Sequence, residues 1–140
     1  LFFMTSMETR TYTLDKSERL CSKKLIERLF AGGNKSFPAF PLRVVYAPLE
    51  DGESAAAPVS ILVSVPKKRF KHAVKRNRVK RQVREAYRLN KHILIEALQA
   101  QESPKQMMLA FIWLDTRLHD TAEVTYKVKK LLHHIAEEQL

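Results

Sequence analysis

Leu25, Ile26, Leu29 and Phe30 fall at i, i+1, i+4 and i+5, one apolar stripe on a helix of 3.6 residues per turn. Ser22 stands where an N-cap is wanted, and Gly32 and Gly33 supply a left-handed ending. The spacing therefore predicts a first helix over 22–31. The pattern then changes. Residues 37–41 hold two prolines and cannot be helical. Leu42–Tyr46 is β-branched and aromatic, which predicts a strand. The segment 48–58, PLEDGESAAAP, is small and polar and is expected to be a flexible loop. VSILVSV, 59–65, alternates small polar with bulky apolar residues and predicts a buried strand that Pro66 ends.

Helical spacing returns from about His72 to about Gln99. Val79, Val83, Ala86, Tyr87, Leu94 and Ala97 lie within a third of the circumference. Ser103 and Pro104 stop this segment. MMLAFIWL, 107–114, is continuously apolar and fits a central strand better than so short a helix. A last helix is predicted from Asp120. Asp120 and Glu123 have capping-box spacing, and Val124, Val128, Leu131, Leu132 and Ile135 form its stripe. The order helix, strand, strand, helix, strand, helix gives one sheet with helices packed on it, an α+β or α/β sandwich. No repeat interrupts it, so residues 1–140 are read as one domain, with its core at about 19–136 and a flexible start at 1–11.

Composition agrees with a packed core: 45% of the residues are apolar and 29% charged. Cys21 is the single cysteine, which excludes an internal disulfide and a cysteine-based zinc site. No apolar run approaches the roughly 20 residues that span a bilayer. The opening LFFMTSMETRTYT lacks the basic-then-apolar order of a secretion signal. The cytoplasm is the expected location.

Charge changes the picture most. The segment 67–91, KKRFKHAVKRNRVKRQVREAYRLNK, carries twelve Lys or Arg and one acid, Glu85, a balance of +11. The whole chain is +10, so the other 115 residues sum to −1 (10 − 11). A neutral body bearing one intensely basic helix is the footprint of a polyanion binder. With Val79 and Val83 turned inward, Asn77, Arg81, Arg84 and Arg88 form one exposed stripe, and Arg76, Lys80, Arg84 and Lys91 form a second. Like charges at i, i+4 repel by a few tenths of a kcal/mol per pair. A face built for solubility interleaves Glu with Lys, and this one does not. Arginine suits forked contacts to phosphate. A membrane surface would want bulky apolar residues beside the basic stripe, but the modest apolar face here is needed for the core. A major-groove reader would want a short preceding helix and a tight turn, whereas a strand, Pro66 and the Lys67–Lys68–Arg69 loop come first. Structured RNA together with a single strand fits best.

The stretch SVPKKRFKHAVKRNRVKRQVREAYR, Ser64 to Arg88, resembles the signature of the bacterial ribonuclease P protein subunits. That pattern is a strand, a Lys-Lys loop, then Ala-Val-x-Arg-Asn-Arg, a hydrophobic residue, Lys-Arg-x-x-Arg, Glu or Gln, a small residue and an aromatic. The likeness extends to Arg19–Leu20 and to the Leu29–Phe30…Gly33 helix end, and covers roughly Arg19 to Ile135. It implies a two-layer α/β sandwich, ribosomal protein S5 domain 2-like, with a mixed four-stranded sheet and three helices. It also implies that the chain binds a catalytic RNA and the 5′ leader of precursor tRNA, while that RNA with Mg²⁺ performs the hydrolysis. Neither a membrane nor an obligate protein partner is implied.

Two surfaces carry over by the same resemblance. Lys67, Lys68, Arg69, Lys75, Arg76, Asn77, Arg78, Lys80, Arg81, Arg84 and Arg88 would meet the catalytic RNA. Phe30 and Tyr46 would line a groove for the leader, with Arg76, Asn77, Lys80 and Arg84 as its polar edge. Ile26 stands in that groove where many relatives carry Phe, which removes a stacking platform; Phe37 or Phe40 is left to replace it. No catalytic or metal-binding residue is assigned to the chain itself. Asp115, Asp120 and Glu123 sit at a strand end and a helix cap, where acids serve structure. His133 and His134 are adjacent and point to different faces of a helix.

Overall fold

The computed structural model describes Leu14 and residues 16–139; the expected flexible start, 1–11, lies outside them. A 3-10 turn, Lys16–Glu18, precedes α1 (Lys23–Phe30), β1 (Lys35–Ala39), β2 (Leu42–Pro48), β3 (Val59–Ser64), α2 (Ala73–Asn90), α3 (His92–Gln99), β4 (Met107–Trp113) and α4 (Thr121–Glu138). The strands form one mixed sheet in the order β1-β2-β4-β3. β1 pairs antiparallel with β2 and β2 with β4, while β3 runs parallel to β4. The parallel pair requires a crossover, and α2 and α3 supply it. The α+β sandwich with four strands is thus present.

Two local features depart from the expectation. The proline-rich stretch contributes β1, an edge strand, where Pro38 opposite Arg43 withholds no ladder hydrogen bond that the sheet interior needs. The helix expected over 72–99 is divided at Lys91, so there are four α-helices rather than three. The Asn90 side-chain amide donates to the Ala86 carbonyl at 2.9 Å, competing for the acceptor a continuous ladder would use. Lys91 turns inward and is 1% exposed. Its Nζ meets Glu18 Oε1 at 2.6 Å. It therefore anchors the fold and does not belong to the outer basic stripe.

The two sheet faces are covered unequally. On one, Val44, Tyr46, Ile61, Val63, Leu109, Phe111 and Trp113 pack against Val79, Val83, Tyr87, Leu94, Val128, Leu131 and Ile135 of the helical layer. On the other, Ala47, Met108 and Ala110 lie beneath Leu25 and Leu29 of α1. α1 has eight residues and is about 12 Å long, so it roofs only one end of its face. Ser22 caps it, accepting from the Leu25 amide. The outer edge of β3 is closed by the bridge Arg19↔Ile61, with the Leu20 amide donating to the Ile61 carbonyl at 2.7 Å.

The 48–58 segment is laced to the body. Arg28 reaches from α1 to both Glu53 carboxylate oxygens at 2.8 Å and to the Pro48 carbonyl at 2.8 Å. Gln106 accepts from the Ala55 amide and donates to the Ala57 carbonyl.

Candidate nucleic-acid interface

α2 is fixed by its inner face. Val79, Val83, Ala86 and Tyr87 are fully buried, and Gln82 joins them, donating to the His119 carbonyl and to Thr121 Oγ1 at 3.1 Å. The opposite side is dominated by basic residues. Lys75, Asn77, Arg78 and Arg81 are exposed; Arg76, Lys80, Arg84 and Arg88 are half-buried.

These cations are not equivalent. Arg76 donates to the Phe70 and Lys71 carbonyls at 2.8 Å and thereby staples the Lys67–Lys71 turn to the helix. Arg88 is paired with Glu85, and that bond raises the Arg88 pKa above its ordinary value. By contrast, no hydrogen bond or ion pair from the side chains of Lys75, Arg78, Lys80, Arg81 or Arg84 occurs among the described residues. Lys67 and Lys68 extend the same surface, exposed at the head of the helix, with Arg69 half-buried behind them.

An open cleft of about 480 Å³ runs along this helix, lined by Leu14, Arg19, Asn77, Lys80, Arg81, Arg84, Glu85 and Arg88. Burial first, and the charge of Arg19 second, lower the Arg84 pKa from its ordinary value. Arg19 thus joins Arg81, Arg84 and Arg88 of α2 in one cleft. The pattern along the chain does not single out Arg19 for this site, because only its bridge to Ile61 on β3 carries it there.

On the α1 face of the sheet, opposite the face on which the inner side of α2 packs, the strand ends that α1 does not roof lie open as a trough. The register gives its floor as two rungs across the four strands: Ser36–Val45–Ala110–Leu62, where Ala110 is already buried under α1, and Pro38–Arg43–Ile112–Ser64, which is exposed or half-buried throughout. The next rung, with Ala47, Met108 and Ser60, is buried under α1. Phe30, the last residue of α1, leaves 45% of its surface exposed. Ile26, like Val45 and Leu62, is half-buried and packs against the cluster beneath α1.

Two of the expected groove aromatics lie elsewhere. Tyr46 is 2% exposed within the larger core, and its hydroxyl donates to Glu138 at 2.6 and 2.7 Å. Burial first, then the Glu138 bond and charge, push its phenol pKa well up. Phe37 stacks on His134 of α4, with ring centroids 3.6 Å apart and planes within 8°. Both have the strand parity that faces the helical layer, whereas Val45 and Arg43 have the parity that faces the trough. Alternation of side chains across a strand makes this a one-residue distinction that sends each ring to the opposite face. Phe40, left as the other candidate, is 58% exposed and meets the His119 ring edge-on.

The acids noted near the last helix serve the fold. Asp120 caps α4 by accepting from the Glu123 amide at 2.8 Å. Asp115 and Glu123 hold the two ring nitrogens of His119 at 2.7 and 3.0 Å. No group of three His, Cys, Asp or Glu side chains suited to a metal ion occurs among the described residues, and no helix there is long and apolar enough to cross a membrane.

The sequence model of the family described as Ribonuclease P matches residues 14–136. The chain belongs to the ribonuclease P protein family. Among its relatives is a ribonuclease P protein component from Porphyromonas gingivalis, 49% identical over 126 residues, which span 90% of this chain and 88% of that one. Another, from Chlorobaculum tepidum, is 36% identical over 89% of this chain and 86% of that protein. The solved RNase P protein from Thermotoga maritima is similar with a TM-score of 0.62 and 25% identity, covering 84% of this chain and 97% of that one. The Staphylococcus aureus RNase P protein, at 19% identity and a TM-score of 0.55 over 88% of this chain and 95% of that one, is a likeness of fold.

Proposed function

We propose that this member of the family works as the protein subunit of ribonuclease P, docking on the enzyme's RNA through α2 and the Lys67–Arg69 turn. In this reading the trough receives the single-stranded 5′ leader of precursor tRNA. Phe30 offers a stacking face, and Lys80 and Arg84 hold leader phosphates from the helix side. The cut itself belongs to the RNA with Mg²⁺, in the cytoplasm, and the protein acts by positioning the leader and raising affinity. The observation that carries this reading is the set of five cations on α2 with no carboxylate partner among the described residues, beside an open apolar floor. Lys80 and Arg84 are half-buried as well as unpaired, which is costly to a folded protein, and phosphates would offset that cost.

Precursor tRNA cleavage, followed with protein alone, RNA alone and both at low Mg²⁺, tests the proposal. Cleavage only where RNA is present, and strong stimulation by the protein, is the expected result. Hydrolysis by the isolated protein, or no stimulation of the RNA, would overturn it; the latter would leave a structural RNA binder.

A further inference from the structure

The trough has two sides, and only one is basic by virtue of α2. The other is formed by β1 and β2. Across all four strands just two residues are charged, Lys35 and Arg43. Lys35 lies at the parity of the helical layer and pairs with Glu138 at 3.6 Å. Arg43 lies at the opposite parity, in the outer open rung, beside Ile112 on one strand and Pro38 on the other. It is exposed. Its Nη2 donates to Ser36 Oγ at 3.0 Å, and no carboxylate pairs with it among the described residues. Ser36 belongs to the neighbouring rung of the same face, so the bond lays the guanidinium along the trough.

The geometry sets what Arg43 can touch. β2 and β3 are separated by β4, two strand spacings, about 10 Å. Arg84 shares its cleft with Arg19, which bridges the outer edge of β3, so the α2 cations that line this cleft stand at that edge. Arg43 and the α2 cations therefore flank an apolar floor of Val45, Leu62 and Ile112, with room for one extended nucleic-acid strand and not for a duplex. They are too far apart to grip a single phosphate. A surface arginine serving only solubility would need neither a serine to orient it nor a place in the open rung farthest from α1.

We propose that Arg43 is a second phosphate clamp of the trough, holding the leader from the β2 side at a different nucleotide from the one α2 holds. It is a positioning residue for substrate, not a contact with the enzyme's RNA. The inference rests on the reading of the trough as the leader's site. Ser36 aims the guanidinium, and the clamp reads the sugar-phosphate chain without regard to base.

The test uses the reconstituted holoenzyme, binding precursor tRNA with leaders graded from none to about eight nucleotides. Arg43→Ala is expected to weaken binding three- to tenfold for the longest leaders and not at all for leaderless tRNA. The log–log salt slope should become shallower by about 0.7, the share of one single-strand phosphate. Arg43→Lys should keep that slope, and Arg43→Glu should lose more than Arg43→Ala. Assembly with the RNA subunit and the melting temperature should not move. Equal losses on leaderless tRNA, or no loss at any length, would overturn the clamp. Phe30→Ala separates the two ideas. If it loses leader-dependent affinity while Arg43→Ala does not, the trough reading stands and the clamp fails. If neither variant responds to leader length, the trough reading fails with it.

Discussion

Lys91 and Arg81 belong to one basic run, yet they answer to different forces. Lys91 is buried against Glu18. Removing one member of a buried pair leaves the other charge to be balanced by what remains, at about 3–5 kcal/mol. Lys91→Ala should therefore lower the denaturation midpoint sharply, and pairing Lys91→Met with Glu18→Gln should recover most of the loss. A single variant as stable as the parent would show the pair is not the anchor of the α2–α3 bend. Arg81, exposed, should do the reverse: Arg81→Ala leaves stability unchanged and weakens RNA binding. Tyr46 and Phe30 make a second contrast. Phe30→Ala should cost about 1–3 kcal/mol of leader affinity if a base stacks there. Tyr46→Phe removes only a hydrogen bond to a partly solvated carboxylate and should cost about 1.5 kcal/mol of stability, with leader binding intact. Chemical denaturation and leader titration of both variants check the split.

At the scale of elements, the end of β4 and the start of α4 are clasped by Asp115, His119 and Glu123. Burial pulls the His119 pKa down, but the two carboxylates outweigh it and hold the pKa above its ordinary 6.5. A group raised on folding contributes stability that is complete below the unfolded pKa and is lost as pH rises through the folded one. Thermal melts should thus show stability falling as pH climbs above about 6.5, and His119→Gln should flatten that fall. An unchanged slope would place the titration elsewhere. This clasp was half legible in the sequence: Asp120 and Glu123 announce a cap, but the role of His119 depends on how β4 ends. Other elements divide the same way. α2 and β4 were legible because an apolar stripe at period 3.6 and an unbroken apolar run each have one reading. β1 was not, since its proline is tolerated only at an edge, and edges are set by topology. The floor of the trough was not either. β2 alternates bulky residues at both parities, Val44 and Tyr46 against Val45, so the chain alone does not say which parity faces α1.

Across the whole molecule, one sheet separates two environments. The helical layer buries most of the large apolar side chains on one face, and the short α1 leaves some of the other face open. α2 belongs to both, with its inner residues locked in the core and its outer ones toward solvent. An RNA partner therefore meets a row of cations whose spacing along the helix axis is fixed by the buried inner face of α2 before binding, so the backbone needs no ordering to use it. Each phosphate neutralised releases counterions, with a slope of roughly −0.7 to −0.9 in log affinity against log salt. Lys67, Lys68, Lys75, Arg78 and Arg81, the exposed cations away from the leader's edge, should together give a slope of about −3.5 to −4.5 for assembly with the RNA subunit. Arg88, engaged by Glu85, and Arg76, engaged by two carbonyls, should contribute less than a full phosphate each. Filter binding from low to moderate salt measures this directly. Arg78→Ala and Arg81→Ala should each reduce the steepness by nearly one unit, while Arg88→Ala should reduce it by less. A parent slope shallower than about −2 would mean that most of these charges never meet the RNA backbone.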